Sequence, residues 1–300
     1  MSLLFLSKIK LRSNYLNLLF CLIPLSFIAG NLIINLNIAL IIFSAIIFYK
    51  LDIFKIKFFI LDKIILIFFF FVCFTALINY FNNFQESTKY FPILVKTFSY
   101  LRYLLLYFVI RYMVENKLIN FKYFFISASF FSFLVAIDIY YQFFTGRDIF
   151  GYEFDYARKK FSGPFGDELI AGGYLQRFSF FSFFLFPVFF SIKNKKLQNI
   201  IIVLLFMIYL SVIVIAGNRM PLLLFLFITT LIIFCEKSTR RYFFIIFIIV
   251  PIIFTTMYNS NIKIKGNLQV LYYELVKLTS IFKSDVVLTP YWQRLVRYKN

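Results

Sequence analysis

The stretch IIIVLLFMIYLSVIVIAGNRMPLLLFLFITTLIIF, Ile200 to Phe234, holds a single charged residue, Arg219. The apolar runs on either side approach the roughly 20 residues that a membrane-crossing helix needs. Ala216-Gly217-Asn218 ends the first run, and Pro221 suits the start of the second, where a missing N–H does no harm. The turn between them is very short, so Arg219 is held close to the membrane boundary. A charge at membrane depth costs at least roughly 2.5 kcal/mol on insertion scales. Two readings of Arg219 follow: an interfacial side chain snorkelling to water, or a guanidinium aimed at a phosphate, the group it binds best.

The rest of the chain repeats this character. Of its 300 residues 62% are hydrophobic, with 47 Phe and 21 Tyr, more apolar surface than a soluble core requires. Apolar windows predict about nine helices: Leu16–Ala29, Leu32–Phe48, Ile64–Tyr80, Pro92–Met113, Tyr123–Phe144, Gly172–Ile192, Ile200–Ala216, Pro221–Phe234 and Tyr242–Tyr258. The fold class is therefore an all-α, polytopic integral membrane protein. No small-residue cleavage site follows the first apolar run clearly, which predicts an uncleaved first helix. Residues 1–258 are expected to form the transmembrane domain, with a long loop at about 145–171, and residues 259–300 a second long segment. That segment is partly amphipathic and stops on YWQRLVRYKN with no closing helix, as the start of a larger loop cut short would.

The net charge of +19 would point to nucleic acid in a soluble chain, but in a membrane protein it sets topology. With the N-terminus cytoplasmic, every inner segment is basic: Lys8, Lys10 and Arg12; Lys50, Lys55, Lys57 and Lys63; Arg111, Lys117 and Lys122; Lys193, Lys195 and Lys196; Lys237, Arg240 and Arg241. The outer turns at Asn31 and at Asn82 to Phe91 are nearly free of positive charge. The two long outer segments are basic as well, which topology does not explain; Arg147 is one such residue. Nucleic acid is not an expected partner.

Several chemistries are disfavoured. The chain has no histidine, and its three cysteines show no CxxC spacing, so neither a metal site nor a disulfide framework is indicated. Phosphate-binding and dinucleotide-binding glycine motifs are missing, and no cofactor is expected. An outward-facing enzyme of this kind would need an already activated, membrane-borne substrate.

The segment SGPFGDELIAGGYLQRF, Ser162 to Phe178, interrupts the apolar pattern with four glycines, an Asp-Glu pair and Arg177. Its glycines allow close backbone turns. Asp167 and Glu168 either cap the sixth helix, where carboxylates suit the N-terminal dipole, or join a site beside Arg177. Arg177 reads as an interfacial anchor or a second phosphate ligand. Asp138, near the outer end of the fifth helix, is a proton site or half of a structural ion pair with Arg102. Arg102 and Lys96, two turns apart in one apolar segment, pair with a carboxylate or contact substrate.

In order along the chain, DIYYQFFTGRDIFGYEF (Asp138–Phe154), RKKFSGPFGDELIAGGYLQRF (Arg158–Phe178) and AGNRMPLLLF (Ala216–Phe225) resemble the bacterial O-antigen polymerase and O-antigen ligase superfamily. The resemblance covers roughly Asp138 to Phe227. It implies a multi-pass inner-membrane glycosyltransferase with a periplasmic catalytic face. The implied substrate is an undecaprenyl-diphosphate-linked oligosaccharide in the membrane lipid, and a chain-length regulator protein is an implied partner. Polymerases pass the glycan to another lipid-linked repeat unit, whereas ligases pass it to lipid A–core. Arg219 is the best match to the family arginines thought to engage the diphosphate, and Arg177 is a looser one. The expected site is thus Arg219 and Arg177 on the diphosphate, Asp167 or Glu168 as general base, and Asp138, Arg102 and Arg147 in support. Ligases of the family carry a functional histidine, so its absence favours the polymerase reading over the ligase. A lipid-linked oligosaccharide flippase would instead predict a charged central cavity and inverted repeats; mid-membrane charges here are few and no repeat is visible.

Overall fold

The computed structural model describes residues 3–83, 87–154, 160–189 and 195–235, with isolated positions at 251, 252, 255 and 276. Among the described residues ten α-helices form: α1 Leu3–Cys21, α2 Ile23–Ile28, α3 Asn31–Tyr49, α4 Ile60–Asn82, α5 Ser87–Ser99, α6 Leu101–Glu115, α7 Phe121–Thr145, α8 Ala171–Phe189, α9 Lys195–Ala216 and α10 Arg219–Cys235. Short 3-10 turns occupy Lys50–Phe54 and Gly163–Phe165. Among the described residues there is no strand; Arg147 and Glu153 form an isolated bridge.

Six stretches of the described chain are long and apolar enough to cross a membrane: Leu11–Ile28, Asn31–Phe54, Ile60–Asn82, Tyr90–Glu115, Phe121–Thr145 and Lys196–Ala216. A shorter apolar helix covers Arg219–Ile232. This makes an all-α, multi-pass membrane protein. The ninth expected helix, Tyr242–Tyr258, and the segment from 259 lie outside the described residues, save for the isolated positions given above. Along α4 the apolar side chains face outward, with Phe70 at 70% and Phe71 at 65% exposure, as residues in contact with lipid do.

Local chemistry explains where helices depart from the apolar windows. The first span breaks into α1 and α2 because Pro24 has no N–H to give the preceding turn; the Leu22 N–H is shared between the carbonyls of Leu18 and Leu19 at 3.1 and 3.2 Å. The fourth span divides at Tyr100 into α5 and α6. There Thr97 and Ser99 hydroxyls donate back to the Ile93 and Val95 carbonyls at 2.9 and 2.8 Å, a bonding pattern that bends helices. In α4 the helix begins at Ile60 rather than Ile64, because Asp62 accepts the Phe59 N–H at 2.7 Å and so satisfies an orphan donor of the first turn.

The chain divides into two compact units, Met1–Ser132 with Val188–Phe190, and Phe133–Pro187 with Ser191–Asn300. The first unit has a core of Leu16, Leu19 and Phe20 from α1, Ile41 and Ala45 from α3, Ile53 and Ile56 after it, and Phe108, Val109 and Met113 from α6. Basic side chains collect at one end of it. Arg12 donates to the Phe48 carbonyl, and Arg111 to that of Lys57, each at 3.4 Å. Arg111 also lies 3.4 Å from Asp62, which accepts from Tyr107 as well, so the start of α4 is fastened to the end of α6. Arg102 lies elsewhere on α6, with its guanidinium 4.9 Å from the centre of the Tyr103 ring.

At this same end, Asn17 of α1 donates to the Leu118 carbonyl at 2.9 Å and accepts the Asn120 N–H at 2.7 Å. It thereby closes the connection between α6 and α7. Asn17→Ala leaves a buried N–H and C=O unpaired, and is expected to cost about 1–3 kcal/mol. A matched comparison of thermal unfolding in detergent micelles checks this; an unchanged midpoint would mean that Asn17 does not fasten the connection.

Candidate functional site

The second unit brings together the two segments that interrupt the apolar pattern. Gln142 of α7 organises the loop that follows it. Its Oε1 accepts the Gly163 N–H at 2.9 Å, and its Nε2 donates to the Tyr152 carbonyl at 3.1 Å. Gly163 has a positive φ of 55°, and a Cβ there would meet Ile139 Cγ1 at 2.9 Å. The tight turn at this position therefore requires glycine.

The loop then meets the α9–α10 turn. The Phe161 N–H donates to the Ala216 carbonyl at 3.3 Å. Asn218 sends its Nδ2 to the Leu169 carbonyl at 2.8 Å, and a Cβ on Gly172 would stand only 2.7 Å from Asn218 Cβ. At the next residue, a Cβ on Gly173 would stand 3.8 Å from Pro221 Cγ. Gly172 and Gly173 thus let the first turn of α8 lie directly against the first turn of α10. Two helix N-termini meet here, each carrying roughly half a positive charge.

The expected site residues divide as follows. Arg219 is the first residue of α10 rather than part of a free turn, with Asn218 just before it, and it is half-buried. Pro221 falls at the third helical position, still within the first turn, whose N–H groups have no partner inside the helix. Arg177 lies in the second turn of α8, not at its start, and its side chain is exposed. Asp167 and Glu168 are exposed in the turn before α8. The residue immediately before Ala171 is Ile170, whose N–H bonds the Glu168 carbonyl at 2.9 Å; the acidic pair therefore does not occupy the cap position. All four lie on the segments that meet at this junction, the loop before α8, α8 itself and α10.

Asp138 and Arg147 belong to a neighbouring part of the same unit. Asp138 accepts the Ile149 N–H at 2.9 Å, and Arg147 forms an exposed ion pair with Glu153 at 2.7 Å. Asp138 and Arg102 stand in different units, and the bond Asp138 makes within its own unit is to the Ile149 backbone. Among the described residues no group of three or more His, Cys, Asp or Glu side chains converges.

Sequence reasoning passed over Gln142, Asp148 and Asn218. A signal existed for the first, since Gln142 is four residues after Asp138 and so shares its helix face. Asn218 precedes a proline-led apolar run, the position where a capping side chain is expected. Comparison with protein families, characterised proteins and solved structures finds no match to this chain.

Proposed function

We propose that the chain is a membrane glycosyltransferase that polymerises undecaprenyl-diphosphate-linked oligosaccharide repeat units on the outer face of the bacterial inner membrane. The observation that carries this reading is the junction of the 161–173 loop with the 216–219 turn, made by the Asn218–Leu169 hydrogen bond and the close approach at Gly172. The segments it joins carry Arg219, Arg177, Asp167 and Glu168, and two helix N-termini meet there. Such a junction suits a diphosphate, because oriented N–H groups and guanidinium donors stabilise the charge that develops as the glycosyl–phosphate bond breaks. A carboxylate beside it supplies the base for the acceptor hydroxyl. The leaving diphosphate needs no nucleotide to activate it.

The orientation follows from charge. The basic end of the first unit, with Arg12, Lys57 and Arg111, is cytoplasmic under the positive-inside rule. With nine spans, of which α8 and α10 are the sixth and eighth, the 146–170 loop and the α9–α10 turn face outward together. The C-terminal segment from 259 then lies on the outer side, where it can add to the site, and a chain-length regulator is a natural partner there.

Complementation tests the reading. A host that lacks its own polymerase but makes the matching repeat unit is expected to regain a ladder of lipopolysaccharide bands when this chain is supplied. A band pattern unchanged while the chain is present in the membrane would reject it. Restoration of a single-repeat band from a strain that had none would indicate ligation instead.

A further inference from the structure

Among the described residues of the second unit, the best-buried carboxylates are Asp138 and Asp148, at 2% and 3% exposure. They are neighbours. Asp138 Oδ1 accepts the N–H of Ile149, the residue after Asp148, at 2.9 Å, and the two carboxylates act on each other electrostatically. Asp148 closes a small hairpin: its Oδ1 accepts the Tyr152 N–H at 2.6 Å, and its own N–H donates to the Tyr152 carbonyl at 2.9 Å. Each carboxylate has thus committed one oxygen to a backbone N–H. The other oxygen of each, Oδ2, is buried and has no hydrogen-bond partner in the protein.

Nothing described nearby neutralises this pair. Arg147 is next to Asp148 in sequence but turns outward, 68% exposed, with Nε and Nη2 both given to Glu153. Gln142 is spent on Tyr152, Ser162 and Gly163. Among the described residues no ion pair reaches Asp138 or Asp148. Buried charges are paired, coordinate a metal, or are neutralised. Two buried carboxylates side by side need a cation or a shared proton to neutralise them, and the free Oδ2 atoms are the ligands a cation would take. Carboxylate oxygens are hard ligands and select hard cations, and Mg²⁺ in particular is held by one or two carboxylates while keeping several waters.

We propose that Asp138 and Asp148 bind one hard divalent cation, Mg²⁺ or Ca²⁺, through their Oδ2 atoms. The ion pins the 147–153 hairpin to the C-terminal end of α7. This inference goes beyond the proposed glycosyl transfer and does not depend on it.

The full chain, purified into lipid nanodiscs and stripped with a chelator, is titrated with Mg²⁺ and with Ca²⁺ while thermal unfolding is followed. A ligand that binds only the folded state raises the midpoint, so a saturable upward shift is expected. In parallel, Tb³⁺ luminescence excited through tyrosine is expected to appear on binding, since Tyr152 is bonded to Asp148, and to fall on addition of Ca²⁺. Asp148→Asn keeps Oδ1 to accept the Tyr152 N–H and is expected to lose both responses. Asp138→Asn, on a separate element, is expected to do the same. The proposal is overturned if neither ion shifts the native chain, or if the shift survives in both variants. It is equally overturned if Asp148→Asn is the more stable protein in chelator and the native chain shows no ion response, because a shared proton then neutralises the pair.

Discussion

Replacing Arg219 with alanine is expected to collapse the restored lipopolysaccharide ladder to single repeats while leaving the amount of protein in the membrane unchanged. Removing one donor aimed at developing transition-state charge costs roughly 10²–10³ in rate, and elongation compounds that loss at every step. Arg219 is the first residue of α10, between Asn218 and Pro221, the two residues that face the first turn of α8, so its charge is added near two positive helix ends. Arg219→Lys keeps the charge but not the planar fork, and is expected to restore short chains only. An intact ladder with Arg219→Ala would remove this arginine from the reaction and return it to the role of interfacial anchor.

Gly172→Leu is expected to give the second-largest effect, by a different route. Any Cβ at this position meets Asn218 Cβ at 2.7 Å and Cγ at 3.1 Å. The added side chain must push the 216–219 turn away from the loop, breaking the Asn218–Leu169 bond, at a cost of about 1–3 kcal/mol. The thermal midpoint and the ladder should both fall. Gly172→Ala paired with Asn218→Gly removes the opposing Cβ and is expected to recover stability relative to Gly172→Ala alone. If Gly172→Leu leaves both ladder and midpoint unchanged, the close approach does not hold the site.

The helices were legible in the sequence because lipid demands a long apolar run, and such runs are visible residue by residue. Pro221 marked a helix start because its effect is local, whereas Pro24 was read through, and the expected helix Leu16–Ala29 divides there into α1 and α2. Breaks that depend on side-chain hydroxyls, such as the bend at Tyr100 caused by Thr97 and Ser99, were hidden, since the same hydroxyls elsewhere leave a helix straight. Asp62 was masked by its setting in a basic segment. Its partners Tyr107 and Arg111 lie on another helix, and one sequence carries no sign of that pairing.

The candidate site shows the same division. Arg219 stood out as a lone charge between two apolar runs, and the glycines of 163–173 stood out as an interruption. That the two segments meet was not readable, because it rests on contacts between residues far apart in the chain: Phe161 to Ala216, Leu169 to Asn218, and Gly172 to Asn218. Asp148 was missed because its meaning comes from its burial beside Asp138; in sequence it reads as one more polar loop residue. Of the two readings of Asp167-Glu168, helix cap or site residues beside Arg177, the first rested on the pair's closeness to α8 in sequence. Leu169 and Ile170 intervene, and the pair stays exposed.

The most direct measurement is reconstitution of the purified chain in liposomes with a synthetic undecaprenyl-diphosphate-linked repeat unit. Glycan length and released undecaprenyl diphosphate are followed together. The account predicts stepwise longer glycans with one undecaprenyl diphosphate released per new linkage, and loss of both with Arg219→Ala. Folded protein that binds in the membrane yet yields neither product would contradict it.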